Sequence, residues 1–117
     1  MQLSVIITTY NSEEWLAKVL EGYCNQTENN FEVVIADDGS TEKTKLIIDT
    51  FRKKFQYPIQ HIWQEDNGFQ KCKILNKAIL KTKSDYLLFT DGDCIPRKDF
   101  VAQHLKNKEE GYFLSGG

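Results

Sequence analysis

Two carboxylates one residue apart close the run Tyr86-Leu87-Leu88-Phe89-Thr90-Asp91-Gly92-Asp93. In a strand, alternate side chains share a face, so Asp91 and Asp93 can both reach past the strand's end toward one ligand. Two acidic oxygens with few other ligand types nearby suit a hard divalent cation such as Mg2+ or Mn2+, above all one that bridges to phosphate oxygens of a substrate. A nucleotide meets that description. A second acidic corner lies upstream, where Phe31-Glu32-Val33-Val34-Ile35-Ala36 runs into Asp37-Asp38-Gly39-Ser40. Both apolar runs read as buried strands, each ended by an acidic pair with a glycine. In open α/β sheets ligands bind in the crevice beyond the carboxyl ends of the strands, so both corners would line it.

The elements that must carry these corners follow from the pattern of apolar residues. Leu3-Ser4-Val5-Ile6-Ile7-Thr8-Thr9 predicts a first strand. Asn11 with Glu14 three residues on is a capping-box pattern that opens a helix with Trp15, Leu16, Val19, Leu20 and Tyr23 on one stripe. The polar segment from Asn25 to Asn30 is then a loop before the second strand. Ser40 or Thr41 can cap a second helix whose buried side is Leu46, Ile47, Ile48, Phe51 and Phe55, stopped at Tyr57-Pro58. Ile59 to Glu65 reads as a strand near a sheet edge, and Asp66-Asn67-Gly68 as a turn. Residues 70–81 predict a third helix that buries Ile74, Leu75, Ala78 and Ile79. Pro96 suits the first turn of a short helix carrying Phe100, Val101 and Leu105, and Tyr112-Phe113-Leu114 a fifth strand. The expected fold class is α/β, a mostly parallel Rossmann-like sheet with right-handed crossovers and helices on both faces. Thr8-Thr9-Tyr10-Asn11-Ser12 contains no glycine, so the dinucleotide fingerprint is missing and NAD is not expected.

A chain of 117 residues suffices for one domain, able to bury roughly two thirds of its unfolded surface. It is short for an enzyme. The formal charge of −2 mixes acidic and basic residues, which gives no broad field to attract nucleic acid or an anionic membrane. Cys24, Cys72 and Cys94 are odd in number and lack paired spacing, and no cationic segment precedes an apolar core at the N-terminus, so a reduced, cytoplasmic protein is expected. The apolar runs fall far short of the ~20 residues that span a bilayer. Peripheral attachment at the inner membrane face and pairing with a second copy remain compatible with this composition.

Leu3-Ser4-Val5-Ile6-Ile7-Thr8-Thr9-Tyr10-Asn11, then Val33-Val34-Ile35-Ala36-Asp37-Asp38-Gly39-Ser40-Thr41, then Phe89-Thr90-Asp91-Gly92-Asp93 together resemble the family 2 glycosyltransferases of GT-A fold. Asn67-Gly68-Phe69, Ile74-Leu75-Asn76-Lys77-Ala78-Ile79 and Asp91-Gly92-Asp93-Cys94-Ile95-Pro96 look like bacterial members that build polysaccharides, including chondroitin-polymerase-like enzymes. The resemblance implies inverting transfer of a sugar from a nucleoside diphosphate donor, most often a UDP-sugar, to an acceptor hydroxyl of a glycan. By position it implies that Thr8 and Tyr10 hold the nucleobase, that Asp38 accepts from uracil with Asp37 in support, and that Asp91 is the ribose-side or metal-side acid of a DXD motif. Asp93 is then the direct ligand of Mn2+ or Mg2+. Many relatives carry an arginine before the position of Asn76; here Leu75 stands there, and Lys71 and Lys73 are the cations available to a diphosphate. The family's catalytic base and much of its acceptor site lie beyond Gly117. The chain is thus expected to be one nucleotide-sugar-binding domain over residues 1–117, stopping before the acceptor-binding half.

Other readings compete. Standing alone, Asp37-Asp38 also reads as a turn with a helix cap. Asp91-Gly92-Asp93-Cys94-Ile95 resembles the nucleophile loop of haloacid-dehalogenase-type phosphatases, which lies on a first strand rather than a fourth. An EF-hand fails because Ile95 and Pro96 occupy positions that need an oxygen ligand and a glycine. A phospho-receiver domain would open with its adjacent acids, whereas here a full βα unit precedes them. A non-catalytic nucleotide-sugar-binding module shares the donor site with the enzyme. His61 and His104 are read as a strand residue and a helix-surface residue rather than ligands. Trp15 and Trp63 are read as core or interface anchors, Cys72 and Cys94 as small buried hydrophobes, and the lysines of the third helix as a solvated face.

Overall fold

Strand β1 (Leu3–Thr9) is apolar along most of its length because it is covered on both sides, as parallel strands in the middle of a sheet are. It lies between β2 (Phe31–Asp37) and β4 (Leu87–Asp91), with β3 (Ile59–Trp63) and β5 (Leu114–Ser115) at the edges, in the order β3-β2-β1-β4-β5. Every pairing is parallel. The computed structural model describes residues 3–27, 30–55, 58–65, 68, 71–84, 86–91, 95–107 and 114–115.

Alternation along the strands divides the core in two. Leu3, Val5 and Ile7 with Phe31, Val33 and Ile35 pack against α1 (Glu13–Cys24), α2 (Glu42–Arg52) and Val101 of α4 (Phe100–Asn107). Ile6, Val34, Ala36 and Leu87 pack against Ile74 and Ala78 of α3 (Lys71–Lys81). Helices therefore cover both faces, as the alternating strand and helix pattern predicts. Each fully buried Leu, Ile or Val contributes about 1.5–3 kcal/mol, and Leu16, Val19 and Leu20 on α1 and Ile48 on α2 are completely enclosed.

The structure corrects several expectations. Of the two alternatives for Trp15, core or interface anchor, the first is removed: it is 49% exposed, with Lys18 Nζ 5.0 Å from its ring centre. Trp63 is exposed as well. Leu46 is 65% exposed, and buried Thr44 takes its place on the inner side of α2. Cys72 is exposed. Helix α1 starts at Glu13 with Ser12 as N-cap, and neither α1 nor α2 receives a side-chain cap bond. Pro96 precedes α4 rather than sitting in its first turn. Cys94, Tyr112 and Phe113 lie outside the described residues.

At the amino end of the sheet, fully buried Glu32 interrupts the apolar surface. Its Oε2 accepts from Ser4 Oγ at 2.7 Å and Lys83 N–H at 2.6 Å, and its Oε1 from Gln60 Nε2 at 3.0 Å. Ser4 Oγ also contacts Ser84 Oγ. A buried carboxylate is costly unless its oxygens are bonded; here they tie the loop after α3 to the end of the sheet away from the acidic corners.

Candidate functional site

The chain winds outward from β1 to β2 and β3, then returns to the other side of β1 with β4. Such a reversal leaves a crevice at the carboxyl ends of the two strands between which it occurs, the usual ligand position of open α/β sheets. Here those strands are β1 and β4. Thr8 stands in register with Asp91 on one side and Ala36 on the other, and Thr9 with Asp37. Asp37 and Asp91 thus end their strands at one edge of the sheet.

Asp37 and Asp38 are buried and differently engaged. Asp37 Oδ1 accepts from Ser40 N–H at 2.8 Å, and Asp37 Oδ2 lies 2.8 Å from His61 Nε2. Asp38 donates its N–H to Thr9 O at 3.2 Å, joining the ends of β1 and β2, and its Oδ1 accepts from Gln64 Nε2 at 2.7 Å. Gln64 is itself held by donating its N–H to Asp37 O at 3.2 Å. Gly39 follows at φ 94°, a conformation that glycine adopts without the Cβ clash other residues meet.

Thr8 is half-buried at the end of β1, and Tyr10 is 47% exposed just beyond it. Asn11 takes a left-handed φ of 46°, a region Asn enters more readily than most non-glycine residues. Its N–H donates to Ser40 Oγ at 2.7 Å and its Oδ1 accepts from Thr41 N–H at 3.0 Å. The side chains of Asn11 and Ser40, both expected as caps, are thus spent between the β1–α1 and β2–α2 loops, locking them together, while Thr41, the other residue expected there, stands at the N-cap of α2. Trp63 Nε1 donates to Ser40 O at 3.0 Å, so this pairing is braced from β3 too.

Asp91 is the last residue of β4, while Asp93 lies outside the described residues. Lys71 begins α3 and Lys73 is exposed on it. Among the described residues no three His, Cys, Asp or Glu side chains converge to hold a metal ion, and no helix is long and apolar enough to cross a membrane.

Gln64, which orients Asp38, His61, which meets Asp37, and Gln26 were not singled out as site residues from sequence. Gln26, expected in a polar loop, is buried. Its Nε2 donates to Gly22 O at 3.0 Å and Arg97 O at 2.6 Å, and its Oε1 accepts from Val101 N–H at 2.9 Å. It ties the end of α1 to the segment that follows β4 and the acidic pair. The Asn25-to-Asn30 stretch carries no periodicity that would single it out.

The family model described as glycosyl transferase family 2 matches residues 4–115, including all three motif segments. The chain belongs to glycosyltransferase family 2. This family 2 chain is 34% identical over 105 residues to chondroitin synthase of Escherichia coli, an alignment covering 89% of the chain and 15% of that protein. It superposes on Staphylococcus aureus TarS in complex with UDP-GlcNAc at a TM-score of 0.76 and 30% identity, over 91% of this chain and 30% of that one. A Pyrobaculum calidifontis mannosyltransferase in complex with GDP-Man and Mn2+ shares the fold at a TM-score of 0.79 and 24% identity, over 90% of this chain and 31% of that one. The family 2 chain therefore spans less than a third of each of these three proteins.

Proposed function

We propose that residues 1–117 form the nucleotide-sugar-binding half of an inverting glycosyltransferase that moves a sugar from a UDP-sugar to an acceptor hydroxyl in glycan or polysaccharide synthesis. The observation that carries this reading is the parallel register that brings Thr8, the Asp37-Asp38 corner and Asp91 to one carboxyl edge beside the β1/β4 reversal. The UDP-GlcNAc complex of TarS, a relative at 30% identity, favours a uridine donor.

In this reading uracil lies by the exposed Tyr10 ring and Thr8, and its N–H donates to Asp38, whose carboxylate is already oriented by Gln64. Asp37 supports Asp38 from within the protein. The diphosphate runs toward the start of α3, where the helix N-terminus, Lys71 and Lys73 offer positive charge. Asp91 takes the ribose or metal side and Asp93 the cation directly. Two carboxylates fit a hard Mn2+ or Mg2+ whose remaining ligands are substrate oxygens. Bound there, the cation would offset the charge of the departing diphosphate as a Lewis acid. The general base and acceptor wall belong to the half beyond Gly117.

The test compares Asp93→Ala with Asp99→Ala. Asp99 precedes α4, with a carboxylate oxygen 3.5 Å from Arg97 Nε. We expect Asp93→Ala to abolish the enhancement of UDP binding by Mn2+ with the fold intact, and Asp99→Ala to leave it unchanged. Equal loss from both would remove the metal site from this reading.

A further inference from the structure

We propose that His61, on the edge strand β3, is a positioning residue for the nucleobase pocket, acting through Asp37 and Ser40 on Asn11. The inference rests on the donor-site reading above and adds to it the device that holds Tyr10 in place.

Tyr10 is nearly half exposed, so core packing alone does not fix the loop that carries it. Its neighbour Asn11 is left-handed, a conformation that persists only where surrounding contacts impose it. Those contacts come from Ser40 Oγ and Thr41 N–H. Ser40 in turn is set by two bonds besides the one to Asn11. Its N–H donates to Asp37 Oδ1 and its carbonyl accepts from Trp63 Nε1. Asp37 is oriented at its other oxygen by His61 Nε2, with the carboxylate side chain 1% and the imidazole 11% exposed.

The chain of contacts therefore runs from β3 through the end of β2 to the loop after β1, crossing the sheet edge at which the base is expected. Each step is short and directional, and three of its members are buried or nearly so. Without His61, Asp37 Oδ2 loses its bond from β3 and the carboxylate can rotate away from Ser40. Ser40 then no longer presents Oγ to Asn11 in one geometry. The consequence falls on the base, since Tyr10 adjoins Asn11 directly, and not on the diphosphate.

The experiment is calorimetric titration of the 117-residue chain with uridine and with UDP. Wild type is compared with His61→Ala, His61→Gln, Ser40→Ala, the His61→Ala/Ser40→Ala double variant and Gln60→Ala, each with its Tm. We expect His61→Ala to weaken uridine and UDP by the same factor, about three- to tenfold, the size of one hydrogen bond. His61→Gln, whose amide nitrogen can stand in for Nε2, recovers most of that loss. The double variant binds no more weakly than Ser40→Ala alone, because both changes break one chain of contacts. Gln60→Ala, which loosens the Glu32 network at the opposite end of the sheet, lowers Tm and leaves both affinities unchanged. Multiplicative losses in the double variant, or an equal loss of affinity in Gln60→Ala, would overturn the positioning role while the donor site stood. A wild-type chain that binds neither ligand would overturn the donor-site reading and this inference together.

Discussion

Asp38 is fixed from two sides before a ligand arrives, through its N–H to Thr9 O and its Oδ1 from Gln64. A carboxylate so oriented accepts a pyrimidine N–H with little further ordering. Replacing it with Ala removes a charge-assisted bond of about 1.5–3 kcal/mol, so UDP binding by Asp38→Ala should weaken roughly 10- to 100-fold in calorimetry. A change below twofold would take Asp38 out of the base pocket. Thiol chemistry offers a check of burial that is independent of ligands. Burial pushes the Cys24 thiol up, repulsion from Glu21 adds to it, and Lys54 only partly opposes them. Less thiolate at a given pH and poorer access both slow alkylation, so iodoacetamide at about pH 8 should modify exposed Cys72 before Cys24. Faster labelling of Cys24, read by peptide mass mapping, would contradict the burial described. The acidic corners were legible in the sequence because paired carboxylates at a strand end are a local pattern. The roles of Asn11 and Gln26 were not, because their partners stand 29 and 75 residues away along the chain.

Among the elements, strand and helix order could be read in advance because periods of two and 3.6 separate well in this chain. Which flank of each helix faces water was harder. Trp15 stands about a quarter-turn from the stripe of Leu16, Val19, Leu20 and Tyr23, at its margin, whereas Leu46 falls on the face of α2 opposite Thr44, Ile48 and Phe51, so its apolar type misled where its spacing did not. Capping differs for another reason: Ser12 rather than Asn11 stands at the N-cap of α1, and Thr41, one of the two residues expected there, stands at that of α2 without a side-chain cap bond, while Asn11 and Ser40 bond across the adjacent loops. Close approach between elements makes a sharper prediction at Gly22. A Cβ there would lie 2.7 Å from Pro96 Cδ and 3.0 Å from Cγ, and a proline ring cannot swing aside. Ala is favoured over Gly inside a helix by about 1 kcal/mol, but overpacking costs about 1–3 kcal/mol. Gly22→Ala should therefore lower stability by up to roughly 2 kcal/mol in urea titration. A stabilised variant would mean that α1 does not abut the segment after β4.

For the molecule as a whole, the family model covers nearly the full chain, yet the chain spans only 15% of the E. coli chondroitin synthase and 30% of the TarS chain with UDP-GlcNAc. In the proposed reading Asp37, Asp38, Asp91 and Asp93 serve base, ribose or metal, and the acceptor's proton goes to a carboxylate other than these. The 117-residue chain should thus bind donor but yield no acceptor-dependent product from radiolabelled UDP-sugar with a panel of glycans, while a longer chain with the second half does. Turnover by the short chain at a similar rate would place the base within residues 1–117. The most direct test is calorimetry of the 117-residue chain with UDP, GDP and ADP in the presence of Mn2+. The proposed pocket, with Asp38 accepting from the uracil N–H beside the Tyr10 ring, predicts UDP binding at least about tenfold tighter than either purine nucleotide, a difference of about 1.4 kcal/mol. Equal affinity for all three would contradict a uridine donor site at the carboxyl edge of this sheet.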